Sequence, residues 1–150
     1  MTNIQNGKVL KLYTTLDNEA KTRVSSSSVK VNGNGIKDDK FYAKDPQRAI
    51  LITSIESYTL AKKNNIDIDT GVLGENILID INPYSLSAGE QIQIGDVLLE
   101  ITQNCTLCKG LTTINSKLPK LLKNDRGIFA KVINDATTIK VGDTVKILNH

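Results

Sequence analysis

The chain contains no tryptophan, and its aromatic residues, 4% of 150, are four tyrosines and two phenylalanines. The core must therefore come from Ile, Leu and Val, whose side chains pack well on a pleated surface. Histidine is nearly absent: the one imidazole is His150, the last residue. Ser-His-Asp and Cys-His hydrolases, H-E-x-x-H metalloproteases and histidine zinc sites all need an ordered imidazole, and a chain end frays. Chemistry here has to run on thiol, carboxylate, Lys or Arg. Cysteine is scarce too, with only Cys105 and Cys108 present. They enclose too small a loop to staple a fold, and one C-x-x-C pair without histidines cannot close a tetrahedral zinc site. No stretch reaches the roughly 18 apolar residues of a membrane-spanning helix. The first residues lack the basic and apolar regions of a signal peptide. The expected location is the cytoplasm, where both thiols are reduced.

Charge of one sign is not in large excess either. There are 19 basic and 16 acidic residues, for a formal charge of +3, and only three of the basic ones are arginines, Arg23, Arg48 and Arg126. Nucleic-acid binders carry a clustered basic stripe with interleaved aromatic residues. Neither is visible, so no nucleic-acid partner is expected and the lysines read as a solvated surface. Hydrophobic residues at 39% and charged residues at 23% are ordinary globular values. The length fits a single domain over 1–150, with its core at about 8–148.

What is present is a series of short apolar segments between turn signals. Val9 to Tyr13 alternates as a first strand, Val9, Lys11 and Tyr13 against Leu10 and Leu12. Asp17 to Arg23 is polar and Ser25 to Ser28 reads as a loop or weak linker. Val29 and Val31 make a short strand before the turn Asn32-Gly33-Asn34-Gly35. A polar loop over 35–46 follows, carrying Asp38, Asp39, Lys40 and Lys44, and loops of this kind often hold functional groups. Ala49 to Ile52 is a buried strand. Thr53, three residues before Glu56, has capping-box spacing and opens a helix over about 54–64. Gly71 to Gly74 is a turn, and a strand begins in Glu75 to Ile79.

The hairpin is the most explicit element. Gly95-Asp96 is a two-residue turn. Pairing Ile94 with Val97 sets Ile92 opposite Leu99, with both apolar sets on one face. Leu118 to Lys123 is a short helix with Pro119 in its first turn, Phe129 to Ile133 a strand, and Gly142-Asp143 starts another. Seven or eight strands and two small helices, without regular alternation, predict a mainly β fold of barrel type rather than a doubly wound sheet.

Among reactive groups the thiols come first. A thiol beside a lysine, as Cys108 is beside Lys109, can be partly ionised, and thiolate is the form that attacks, carries sulfur or binds metal. Ordinary buried cysteines fit the spacing equally well. Gly74-Glu75-Asn76 places a carboxylate and an amide in a turn, either for a polar ligand or for the turn's own backbone. Arg48 and Arg126 suit bidentate contacts to phosphate or carboxylate, or surface ion pairs.

The order of these pieces resembles the MOSC domain, named for the C-terminal part of molybdenum cofactor sulfurases. The matching segments are Gly35-Ile36-Lys37-Asp38-Asp39, Gln47 to Ile52, Gly71-Val72-Leu73-Gly74-Glu75-Asn76-Ile77, Gly89 to Gly95, Leu99-Glu100-Ile101-Thr102-Gln103 before a cysteine, Arg126-Gly127-Ile128-Phe129-Ala130 and Val141-Gly142-Asp143. The resemblance implies a β-barrel-like MOSC fold with a few short helices. It implies molybdenum cofactor (molybdopterin) binding and, as a family-level association, pyridoxal phosphate binding. Cys108 falls on the family's cysteine, which carries sulfur or ligates molybdenum. Arg48, Glu75, Asn76, Lys109 and Arg126 would line the cofactor pocket, and Cys105 could act as a resolving thiol. The implied activities are sulfur transfer or molybdenum-dependent reduction of N-hydroxylated compounds. The alternatives are a non-catalytic cofactor carrier or docking module for a molybdoenzyme or sulfurase, and a purely structural member with inert thiols; a molybdoenzyme or cysteine desulfurase is the implied partner. The chain departs from the family loop G-x-x-G-D-x-H at Asp38, in place of the second Gly, and at Phe41, in place of the His. Leu107 stands where Pro precedes the cysteine, and Cys105 where a basic residue is common.

Overall fold

The computed structural model describes residues 3–105 and 111–149. Within them are eleven strands: β1 (Asn3–Thr15), β2 (Arg23–Ser26), β3 (Ser28–Asn32), β4 (Gly35–Ile36), β5 (Ile50–Ser54), β6 (Ile77–Ile79), β7 (Gln91–Ile94), β8 (Val97–Asn104), β9 (Ile128–Val132), β10 (Thr138–Lys140) and β11 (Thr144–Asn149). Three short helices accompany them, α1 (Ile55–Lys63), α2 (Leu111–Ile114) and α3 (Leu118–Leu121), with a 3-10 turn at Pro46–Arg48. Seven strands close a barrel in the order β1-β11-β7-β8-β9-β5-β6 and back to β1, and β2 extends the sheet beside β1. The fold is mainly β, as the strand count and the family resemblance predict. A smaller sheet of β10, β3 and β4 is separate in its hydrogen bonding, and its Val29, Val31, Ile36 and Ile139 join the barrel's apolar core.

Closure depends on β1. Its first half pairs with β11 (Asn3↔Asn149 to Lys8↔Thr144), its middle with β6 (Val9↔Ile79) and its end with β2 (Thr15↔Arg23). The β7–β8 hairpin has the expected register, Ile94↔Val97 and Ile92↔Leu99. Only β5 and β6 pair in parallel, and the long return between parallel neighbours carries α1.

Period-2 alternation sorts the side chains. Ile50, Ile52, Ile77, Ile79, Ile92, Ile94, Leu99, Ile101, Ile128 and Ala130 point into the barrel and join its apolar interior. The opposite face of β6 gives Leu78 to a second layer with Tyr58 and Ala61 of α1, Leu111 of α2 and Leu118 of α3. The opposite faces of β5 and β9 give Leu51 and Phe129, register partners, to a small third cluster with Cys105.

Two β-bulges interrupt the alternation. In β1 the pairing with β6 slips between Val9 and Lys11, so Val9 and Leu12 both reach the interior. In β8 the pairing with β9 slips between Ile101 and Gln103. Thr102 is the extra residue, and its Oγ1 donates to the Gln47 carbonyl. Directly opposed residues share a face. Ile101 therefore faces inward with Ala130, while Gln103 faces outward with Phe129. Cys105, whose N–H donates to the Gly127 carbonyl at 3.0 Å, keeps that outward parity. Without the bulge its thiol would sit inside the barrel.

Several elements differ from the sequence reading. Arg23–Ser26, read as polar chain running into a weak linker, is strand β2, because its ladder with β1 is a backbone contact that serines allow. Gly35–Ile36 is buried strand β4 rather than loop. The helix cap is Ser54, whose Oγ accepts from Glu56 N–H at 3.1 Å, and not Thr53, whose Oγ1 donates to the Arg126 carbonyl at 2.7 Å. α1 is further held by a buried polar group. Tyr84 hydroxyl accepts from Ser54 N–H at 2.8 Å and meets Ser57 Oγ at 2.6 Å, and Ser57 Oγ donates to the Asp125 carbonyl. Burial raises the Tyr84 pKa well above the ordinary range, so this hydroxyl keeps its proton.

Candidate functional site

On the outer face of β5 and β9 lies a cavity of about 460 Å³. Its floor is Leu51, Phe129 and Cys105, the third apolar cluster, and Cys105 is 5% exposed. Its walls carry Lys40, Lys44, Arg48 and Arg126 against one carboxylate, Asp45. Asp45 is engaged with the 3-10 turn, accepting Gln47 N–H at 3.0 Å. Lys40, Lys44 and Arg48 have no carboxylate partner among the described residues. An apolar floor under a cationic rim suits an anionic ligand with a hydrophobic body.

Each cation is placed by a distinct device. Arg48 ends the 3-10 turn, which Thr102 ties to the β8 bulge, and its guanidinium lies 5.8 Å from the centre of the Phe129 ring. Arg126 sits beside the turn at Gly71–Gly74, where its Nε and Nη2 donate to the Leu73 carbonyl at 3.2 and 3.1 Å. Lys40 and Lys44 stand on a strap, residues 38–44, over the mouth. Asp39 pins the strap: its carboxylate accepts Thr15 N–H at 2.7 Å and Phe41 N–H at 3.1 Å. Asp38 in this strap has φ +71°, a left-handed conformation open to Gly and tolerated by Asp. That conformation accounts for the family's second Gly at this place and for Asp as its substitute.

Glu75 and Asn76 lie close by but do not present free groups to the cavity. The Glu75 carboxylate is fully buried, accepts from Tyr58 hydroxyl at 2.8 and 2.6 Å and takes Gly71 N–H at 3.0 Å. Burial, and then the Glu75 charge, raise the Tyr58 pKa far above the ordinary range, so the hydroxyl stays a donor. Asn76 lines the cavity, yet its side-chain amide acts as a second peptide unit. Its Oδ1 accepts Leu51 N–H at 2.9 Å and its Nδ2 donates to the Tyr13 carbonyl at 3.1 Å. Its own N–H and C=O meet the same two residues, so one Asn joins β1 to β5 ahead of β6. Arg23 completes the turn: it donates to the carbonyls of Gly71 and Glu75 and stacks 5.3 Å from the Tyr13 ring centre. Gly71 at φ +91° presses on that ring, a Cβ there reaching it at 3.0 Å.

Of the residues singled out from sequence, Arg48, Asn76, Arg126 and Cys105 are brought together around this cavity, and Glu75 supports it from behind. Cys108 and Lys109 lie outside the described residues. Sequence reasoning passed over Leu51 and Phe129 as ordinary strand residues, and only the alternation within β5 and β9 distinguishes them from their inward neighbours. No group of three or more His, Cys, Asp or Glu side chains suited to a metal occurs among the described residues. The adjacent carboxylates Asp38 and Asp39 diverge, one exposed and one bonded to backbone. Among the described residues no helix is long and apolar enough to cross a membrane.

The closed β-barrel with its few short helices is the fold that the sequence resemblance implied. The sequence matches the MOSC domain family over residues 38–146, and the chain belongs to that family. Among solved structures it is similar to the YuaD protein from Bacillus subtilis, at 20% identity with all of both chains covered and a TM-score of 0.82. It is also similar to YiiM from Geobacillus stearothermophilus, at 16% identity over 96% of this chain and 75% of that one, TM-score 0.69. A third similar structure is YiiM from Escherichia coli, at 21% identity over 97% and 70% of the chains, TM-score 0.65. No curated protein matches in sequence. At these identities the structural likeness concerns the fold.

Proposed function

We propose that the cavity holds molybdenum cofactor, or a related sulfur or metal intermediate, through a cysteine thiolate, and serves sulfur transfer or molybdenum-dependent redox chemistry. The observation that carries this reading is the joint placement of a cysteine floor with Lys40, Lys44 and Arg48 in one cavity. The donor set fits the group. A thiolate is a soft ligand suited to molybdenum, and Arg and Lys suit the phosphate of a pterin. When bound, the cofactor supplies two-electron redox chemistry or a terminal sulfur.

In this reading Cys108 is the ligating or sulfur-carrying thiol, and Lys109 favours its thiolate. Arg48 and Arg126 hold the anionic substituent. Glu75 and Asn76 act as positioning residues through the turn that presents Arg126. Cys105 resolves a persulfide on Cys108: its thiolate attacks the inner sulfur, forming the disulfide and releasing hydrosulfide. Residence in the cytoplasm and partnership with a molybdoenzyme or cysteine desulfurase belong to the same proposal.

Loading of the isolated protein with molybdenum cofactor, followed by metal analysis after gel filtration, tests it. Wild type should retain molybdenum, Cys108→Ser should lose it, and Arg48→Glu should weaken retention by about 1.5–3 kcal/mol, the worth of a charged hydrogen bond. Equal retention by wild type and Cys108→Ser would refute the thiolate role. A carrier or docking module without turnover fits the same cavity and differs in showing no reduction of N-hydroxylated substrates once loaded.

A further inference from the structure

The chain has two phenylalanines, Phe41 and Phe129, and both line this one cavity. Each has a cation over its ring: Lys40 Nζ is 4.6 Å from the centre of Phe41, and the Arg48 guanidinium 5.8 Å from that of Phe129. The two rings come from different elements, the strap and β9, so local sequence does not explain their meeting. Phe129 belongs to the floor at 8% exposure, whereas Phe41 is 47% exposed at the mouth. A phenyl left in water forgoes the free energy of its burial. Here the backbone enforces that position, with Lys40 N–H bonded to the Thr15 carbonyl at 2.7 Å and Phe41 N–H to the Asp39 carboxylate.

We propose that Phe41 is a stacking platform for the ligand of this cavity, and that the ligand is a flat heteroaromatic ring bearing an anionic substituent. This inference rests on the reading of the cavity as a cofactor site and adds the ligand's shape and the residue that selects it. A planar ring gains from the π face of a phenyl. The anionic substituent draws off the lysine that now covers that face, so one ligand satisfies both partners of the cation–π pair. A bare metal or sulfur species uses neither ring, and an anion without a ring uses the cations alone. Phenylalanine has no proton or lone pair to offer where the related loop carries His, so this residue acts by stacking rather than by proton transfer.

Titration calorimetry with pterin-6-carboxylate and guanosine monophosphate as ring-bearing probes, and pyrophosphate as an anion without a ring, tests the proposal. Because Phe41 is exposed, Phe41→Leu and Phe41→Trp should both fold. At least one ring probe should bind wild type; Phe41→Leu should weaken it roughly tenfold, and Phe41→Trp should stay within about twofold. Which probe responds tells a pterin from a nucleotide ring. Pyrophosphate should bind Phe41→Leu as it binds wild type and should lose affinity in Arg48→Glu. The proposal is overturned if neither ring probe binds, if Phe41→Leu binds them unchanged, or if pyrophosphate suffers the same loss. The probes contain no metal or transferable sulfur. Their result is therefore independent of cofactor loading in the cysteine variants, and failure of the thiolate reading is distinguishable from failure of this one.

Discussion

Glu75 and Asn76 are neighbours in sequence and serve the site in different ways. Glu75 anchors its turn from inside the second apolar layer, where Tyr58 hydroxyl is its main donor and also accepts Gly71 and Leu73 N–H at 2.9 and 3.2 Å. Tyr58→Phe removes that hydroxyl from all three partners and leaves the buried carboxylate with Gly71 N–H. The expected cost is about 2–4 kcal/mol in urea unfolding. The tyrosines also set an alkaline limit. Tyr58 and Tyr84 keep their protons in the fold above the pH near 10 at which a free tyrosine ionises. The unfolded chain sheds those protons first, so stability is full below about pH 10 and falls as pH rises beyond it. Tyr42 is lowered instead, first by its hydrogen bond from Asn32. Ultraviolet difference absorbance should show Tyr42 ionising early and Tyr58 and Tyr84 only with unfolding. Early ionisation of all four tyrosines would contradict the buried networks. At this scale Arg48, Arg126 and Cys105, all singled out from the sequence, stand at one cavity. Whether Glu75 faced a ligand or its own turn was open, because a carboxylate's partner, Tyr58, lies on a helix 17 positions away.

Among the elements, strands with clean alternation were legible, and so was the hairpin down to its register. What period-2 reading misses is the bulge. The pattern Val9, Lys11, Tyr13 against Leu10, Leu12 predicts one face throughout β1, whereas the slip at Leu10 sends Val9 and Leu12 to the same interior. The slip at Thr102 likewise turns Cys105 outward. A bulge depends on the partner strand and on a tether such as Thr102 to Gln47, and neither is local in sequence. The turn glycines allow a quantitative comparison. Gly71 and Gly142 have nearly the same φ, +91° and +92°, but a Cβ on Gly71 meets the Tyr13 ring at 3.0 Å and one on Gly142 meets nothing within 4 Å. Gly142→Ala should cost about 1–2 kcal/mol for the left-handed backbone alone. Gly71→Ala should cost about 1–3 kcal/mol more for the contact, read from urea midpoints at constant slope. Equal losses would show that the Tyr13 ring yields.

For the molecule as a whole, closure is the organising feature. β11 is the strand that joins β1 to β7, and without it the sheet has two open edges. Removing β11 should abolish cooperative urea unfolding and expose apolar surface, measured by far-ultraviolet circular dichroism and dye binding. A cooperative transition in the shortened chain would contradict a single closed interior. The family and its barrel were legible because motif order survives changes at single positions. The cavity was not, because it lies on the outward face of strands whose inward residues dominate the apolar pattern. We propose that this outward cavity, with Cys105 in its floor, and Cys108 together hold a cofactor or its sulfur. Native mass spectrometry with metal analysis, on protein purified without oxygen beside Cys108→Ser, tests it most directly. Wild type should carry a bound molybdopterin mass, or an adduct of about 32 Da for one transferred sulfur, and the variant should lack it. A wild-type protein that stays bare after incubation with cofactor and sulfur donor would contradict it.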